Sequence, residues 1–168
     1  MSAVISECGK YRYLLERDIR IVDGAREKIV CFMMLNPSVA DAEKNDPTIR
    51  RCIDFAQREG GTRLLVVNYF AHRATNPREL PKSKDAEGPE NWYYIEQAFK
   101  RSELVIVGWG SNKFARDNAA RYDLLEQINN RLYGVFCLGT NGDGSPRHPL
   151  FLAKDTPLVP WKIGDWDP

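Results

Sequence analysis

The apolar residues of the chain gather into short continuous runs, separated by polar stretches whose apolar positions recur at helical spacing. Lys28 to Leu35 (KIVCFMML) has strand length and, after its first residue, no polar interruption, the pattern of a central strand covered on both faces. It stops at Asn36-Pro37-Ser38, where proline ends the ladder. Asp46-Pro47 then places an acidic N-cap ahead of a proline at the first helical position. Ile49, Cys52, Ile53 and Ala56 supply the apolar face of the helix that follows, and Gly60-Gly61 ends it. A second buried strand, Arg63 to Tyr69 (RLLVVNY), leads into a polar loop, Ala71 to Pro89. At about 19 residues this loop exceeds the usual connection, which marks it as functional or mobile. A helix near Pro89 to Arg101, a strand at Leu104 to Val107 ending in Gly108-Trp109-Gly110, a helix near Phe114 to Leu132 and a strand at Gly134 to Leu138 continue the alternation.

Ahead of this core, Tyr11, Tyr13 and Leu15 alternate with Arg12, Leu14 and Glu16, and a second short run at Ile19 to Val22 precedes Asp23-Gly24. These first 25 residues predict a β-hairpin at the sheet edge. The tail from residue 151, with Pro157, Pro160, Trp161 and Trp166, is expected to wrap the surface. Strand and helix alternating four times predict an α/β fold: a three-layer α/β/α sandwich with a central, mostly parallel four-stranded sheet. Residues 1–25 form the hairpin, 28–150 the core and 151–168 the tail of a single domain spanning 1–168.

Composition narrows the function classes. With 168 residues, 43% hydrophobic and 11% aromatic, the chain has enough apolar surface for one real core. Lys plus Arg number 24 against 23 Asp plus Glu, for a net charge of +1. That excludes gripping nucleic acid by bulk charge; any basic surface must be local. The longest apolar run, Ile29 to Leu35, is far short of the roughly 20 residues a membrane helix needs. Glu7, Lys10 and Arg12 stand where a signal peptide needs apolar residues, so a cytoplasmic protein without a membrane partner is expected. The four cysteines, Cys8, Cys31, Cys52 and Cys137, form no C-x-x-C pair and are joined by only two histidines. Free, mostly buried thiols are expected, and neither a metal nor another cofactor. Nothing in the sequence implies a protein partner.

In a parallel α/β sheet, ligands sit beyond the carboxyl ends of the strands. Those ends carry Asn36-Pro37-Ser38, Asn68-Tyr69-Phe70, Trp109-Gly110-Ser111 and the stretch Gly139 to Pro149. The Asn36 carboxamide can orient a water and Ser38 can hold a phosphate, or the two can simply close a turn. Asn68 can read a hydrogen-bonding edge or cap its strand, and a buried carboxamide requires some partner either way. Tyr69 and Phe70 offer a stacking face or core packing. In Gly139 to Pro149, glycines let the backbone approach a ligand, Ser145 and Arg147 can hold phosphate, and His148 can donate to an oxygen that becomes anionic. Neither G-x-x-x-x-G-K nor G-x-G-x-x-G occurs. Asp41, Asp46, Asp143 and Asp155 lack metal-ligand spacing, which favours capping or solvated roles. Arg50, Arg51, Arg73 and Arg78, with Lys82 and Lys84, form a local basic set: a phosphate track or a solvated loop face.

The strings LNPSVADAEKNDPTIRRC, VVNYFAHRAT and DGSPRHPLFL resemble the signature of a family of small bacterial and phage proteins known as a domain of unknown function. More distantly, the order of strand-end motifs is similar to the uracil-DNA glycosylase superfamily, an α/β/α fold with a central four-stranded parallel sheet. Leu35-Asn36-Pro37-Ser38 looks like the water-positioning loop, usually QDPYH, with INPG in the mismatch-specific branch. Val66-Val67-Asn68 resembles the LLN strand end whose Asn reads the uracil edge. Val107-Gly108-Trp109-Gly110-Ser111 is similar to the LLWGS strand, and Ser145-Pro146-Arg147-His148-Pro149 falls where the HPSP leaving-group loop would fall.

The resemblance implies hydrolysis of an N-glycosidic bond through an oxocarbenium-like sugar, with charge building on the departing base. Asn36 and His148 would be catalytic, positioning water and stabilising the anion. The flipped base would stack on Tyr69 or Phe70 and be read by Asn68. Pro37, Ser38, Arg73, Trp109, Gly110, Ser111, Ser145 and Arg147 would complete the binding surface. The implied partner is DNA or a nucleotide, and the implied substrate a modified or damaged base. Two rivals use the same crevice: non-catalytic recognition of a modified base or DNA end, and an enzyme acting on free or hypermodified nucleotides.

Overall fold

The computed structural model describes residues 1–19, 26–38, 40–81, 84–112 and 134–162. These residues form seven strands and two α-helices: β1 (Ser2–Ile5), β2 (Arg12–Asp18), β3 (Ile29–Met34), α1 (Pro47–Arg58), β4 (Arg63–Asn68), α2 (Asn91–Arg101), β5 (Leu104–Val107), β6 (Val135–Cys137) and β7 (Val159–Trp161). All strands join one sheet in the order β1-β2-β4-β3-β5-β6-β7. The inner strands β4, β3, β5 and β6 are parallel. Antiparallel strands extend both sides: β2 and β1 beyond β4, and β7 beyond β6. The four parallel strands expected from the sequence are therefore the centre of a larger mixed sheet of seven.

Every residue of β3 is buried, because both of its faces are covered. Val30, Phe32 and Met34 pack with Leu64, Val66, Ile106 and the α1 residues Ile49, Cys52, Phe55 and Ala56. Cys31 and Met33 pack with Leu65, Val67, Val105, Val107 and the α2 residues Ile95, Ala98 and Phe99. One helix thus covers each face. The helix expected at Phe114 to Leu132 lies outside the described residues. Of the four thiols, only Cys8 is exposed. No helix among the described residues is long and apolar enough to cross a membrane.

Asp46 caps α1 as its sequence suggests, accepting the Ile49 amide at 2.8 Å. The inward face is rotated from the expected one: Phe55 is buried, and Ile53 is only half-buried beside the cluster. The guanidinium groups of Arg51 and Arg58 lie 5.1 and 5.0 Å from the Phe55 ring centroid, shielding it from water.

The N-terminal hairpin has a different partner from the expected one. β2 pairs with the upstream β1, and the run expected at Ile19 to Val22 falls beyond Ile19 outside the described residues. β2 is not an edge strand either, since it lies between β1 and β4. Its alternation breaks at a bulge. Val4 pairs with Leu14 and Ile5 with Arg12, leaving Tyr13 as the extra residue. The slip moves Arg12 away from Leu14 and onto the face shared by Leu15 and Arg17. Leu14 packs in the α2 cluster and Leu15 in the α1 cluster, while Arg12 and Arg17 reach the loop that precedes α1. Tyr13 stacks on Tyr94 of α2 at 5.2 Å.

The tail departs from expectation, and the long loop is ordered by its own bonds. Instead of wrapping the surface, Val159–Trp161 extends the sheet, with Pro160 tolerated because the strand is at the edge. Trp161 packs edge-on against Trp109 at 5.2 Å. The loop from Ala71 is tied back on itself: the Ala71 and His72 amides donate to Glu87 and Ala86 at 3.1 Å, and Leu80 and Ala86 are buried.

The phase of α1 sets a measurable difference. Phe55→Ala, which empties a fully buried site, is expected to cost about 3–5 kcal/mol. Ile53→Ala, at a half-buried site, is expected to cost only about 1–2 kcal/mol. Urea unfolding of the two variants checks the order.

Candidate functional site

Parallel strands deliver all their carboxyl ends to one side of the sheet, and there the structure holds a cavity of about 720 Å³. Asn36 and Ser38 line it from the end of β3, Asn68 from β4, Trp109, Gly110 and Ser111 from β5, and Arg147 and His148 from the loop after β6. The four residues Asn36, Asn68, Trp109 and His148 therefore converge on a single hollow. Pro37, Tyr69, Phe70, Arg73 and Ser145 are not among its lining residues. Tyr69 and Phe70 are buried in the α2-side core and present no face to the cavity. Ser145 is buried behind the wall, and Arg73 donates to the Gly9 carbonyl at 3.3 Å.

Backbone bonds beyond the strands hold the walls together. The Tyr69 and Phe70 amides donate to the Met34 and Leu35 carbonyls at 2.8 and 2.9 Å. Asn91, at the start of α2, donates to the Asn68 and Tyr69 carbonyls at 3.0 and 3.2 Å, fixing the end of β4. The Asn36 amide nitrogen donates to the carbonyls of Ala74 at 2.7 Å and Pro37 at 3.1 Å. That fixes the carboxamide and leaves its oxygen as an acceptor. Asn68 is 1% exposed, and among the described residues its Nδ2 has no acceptor. An unsatisfied buried donor costs about 1–3 kcal/mol, which a ligand acceptor would recover.

The loop after β6 is shaped by its own bonds. Asp143 accepts Ser145 Oγ at 2.5 Å and Ser111 Oγ at 2.7 Å, so its two carboxylate oxygens clamp the loop to the end of β5. These bonds, that to Ser145 foremost, hold the Asp143 carboxyl below its ordinary value. Ser111 is thereby spent on the clamp. Gly110 sits at φ 78°, and a Cβ there would lie 3.4 Å from the His148 Cβ, so glycine permits both the turn and the close approach. His148 Nδ1 accepts the Leu150 amide at 3.3 Å. A neutral ring then carries its proton on Nε2 and keeps that N–H as a donor. Burial lowers the His148 pKa, with the Asp46 carboxylate opposing the shift.

Among the lining residues not foreseen as parts of the site, three bring a charge or an exposed ring. Arg12 is 2% exposed, and burial pulls its guanidinium down to about 10 against the pull of Asp46. Its Nη1 donates to the Ala40 carbonyl at 2.7 Å, and its Nε has no partner among the described residues. Asp46 brings a carboxylate into the cavity. Phe151 is 81% exposed at the rim, its ring 5.6 Å from that of His148. Of the local basic set, Arg78 is exposed and Arg73 bonds to a backbone carbonyl, as do two others. Arg50 donates to the Asn45 carbonyl and Arg51 to the Leu152 carbonyl, while Lys82 lies outside the described residues.

A family model described as "Protein of unknown function (DUF1643)" matches residues 12–150, which include every strand end that lines the cavity. No curated protein and no solved structure matches the chain.

The depressed His148 value has a signed consequence. As pH falls below the ordinary histidine value of 6.5, the unfolded chain binds a proton before the folded ring does. Stability fully present above 6.5 is therefore expected to decline as pH falls through the folded value. A ring titration by NMR should place His148 below 6.5, and His148→Asn should remove this part of the stability slope.

Proposed function

The chain belongs to the DUF1643 family, whose description assigns no activity, and we propose that it is a DNA N-glycosylase acting on a modified or damaged base in DNA modification or repair. The proposal includes a uracil-DNA-glycosylase-like α/β/α sandwich, supported by four parallel central strands with one helix on either face. The convergence of Asn36, Asn68, Trp109 and His148 on one cavity carries the functional reading. A base flipped into about 720 Å³ has room for its ring and sugar. Asn68 donates to an acceptor on the base edge, and the anchored Asn36 oxygen accepts from a water. His148 donates through Nε2 to the base as negative charge develops on it. A neutral histidine suits this role: protonated, it would lose its bond from the Leu150 amide. Trp109 and the exposed Phe151 replace Tyr69 and Phe70 as the aromatic surfaces available to a planar ligand.

One observation favours a second function, hydrolysis of free nucleotides. Three of the four arginines expected to track a DNA backbone, Arg50, Arg51 and Arg73, are bonded to backbone carbonyls, and among the lining residues Arg147 is an exposed cation. The salt dependence of binding separates the two. Several phosphate contacts give a steep fall in affinity with salt, whereas one contact gives a shallow fall.

Mass spectrometry of bases released from DNAs carrying a panel of natural and hypermodified bases tests the proposal. Release of one base class is expected, with His148→Ala slowing turnover about 10²–10³-fold while keeping most of the binding. Binding without release from any DNA or nucleotide would leave a recognition module in place of an enzyme.

A further inference from the structure

Resting on the glycosylase function proposed above, we infer that Asp46 is the general base of the cavity, taking the proton from the water that attacks the sugar. Asn36 orients a water, but a carboxamide does not accept its proton at neutral pH. Among the described residues, Asp46 supplies the only carboxylate lining the cavity. The nearby alternative, Asp143, has both oxygens engaged by serine hydroxyls. In Asp46, Oδ1 accepts the Ile49 amide at 2.8 Å, which fixes the carboxylate in place. Its Oδ2 accepts no hydrogen bond among the described residues. The carboxylate stands at the N-terminus of α1 and shares the cavity with the buried Arg12 guanidinium.

The step balances as follows. The water oxygen forms a bond to the anomeric carbon as the carbon–nitrogen bond breaks, and the bonding pair leaves with the base. One water proton passes to Asp46 Oδ2, and the departing anion is held by the Nε2–H of His148. Proton return from Asp46 to the released base or to solvent restores the carboxylate.

Asp46→Asn is the informative variant, because asparagine caps a helix as well as aspartate does and only the basic oxygen is lost. Asp46→Ser, a second capping residue, guards against local unfolding. Single-turnover base release and substrate binding are measured for the wild type and both variants over a range of pH. The expected result is unchanged binding, release slowed about 10²–10⁴-fold, and a residual rate that climbs with pH as hydroxide replaces the lost base. A merely structural cap would not produce that climb. Wild-type release with both variants at full rate overturns the assignment of Asp46 and leaves the glycosylase function standing. Absence of release by the wild type overturns both.

Discussion

The parallel register of β4, β3, β5 and β6 is the constraint from which the cavity follows. Met34 pairs with Asn68, and Met33 with Val107, so three strands end at nearly the same level. A parallel ladder that stops abruptly leaves carbonyls and side-chain amides without strand partners in a place where both sheet faces are already covered. Those groups must be satisfied by the loops. Here they are: Asn91 takes the carbonyls at the end of β4, Asn36 reaches across to Ala74, and the Gly110 amide donates to Pro146. The same bonds that satisfy the backbone also hold the loops apart, and the space between them is the cavity.

A second layer of polar bonding holds the loop that carries Asn36, Ser38 and Asp46. Arg17 donates to Asn45 Oδ1 at 2.6 Å and to the carbonyls of Asp41 and Lys44, while Arg12 holds Ala40. Charge-assisted bonds of this kind are worth about 1.5–3 kcal/mol each, enough to order a segment that has no regular structure of its own. Both arginines point to this side only because the bulge at Tyr13 shifts the phase of β2. A strand irregularity on one side of the sheet thus helps to shape the wall of a site built from the other strands.

The parallel core was legible because its runs of Val, Ile, Leu and Met admit one interpretation: Leu104 to Val107 matches the observed strand residue for residue, and β3 and β4 fall within a residue or two of the expected bounds. The edges were not. β1, Ser2–Ile5, is only four residues long, and β7 contains a proline; neither carries enough pattern to announce a strand. The bulge left no trace, since Arg12, Leu14 and Glu16 alternate cleanly on paper. Within the site, Asn36, Asn68 and Trp109 were readable because each stands at the end of a buried strand, and His148 because it lies in the glycine-rich stretch after β6. Tyr69 and Phe70 were misplaced because the sequence cannot say which side of a strand end turns inward. Asp46 had a readable signal: a helix that follows a parallel strand begins at that strand's carboxyl end, so its N-cap must stand at the crevice rim. Arg12 had a weaker one, an arginine directly ahead of the apolar Tyr13, Leu14 and Leu15.

The charges inside the cavity explain one another. Arg12 is removed from water without a carboxylate within ion-pair distance among the described residues, a costly arrangement for an isolated cation. Asp46 offsets part of that cost from across the cavity, and it also opposes the desolvation of His148. One carboxylate thereby faces two groups that burial disfavours as cations. Arg12 stays charged because its ordinary value lies so far above neutrality; His148 stays neutral because its value starts close to it. Burial accordingly yields a fixed cation and a neutral donor in one cavity. A cavity so equipped favours a ligand that gains electron density during reaction, as a departing nucleobase does.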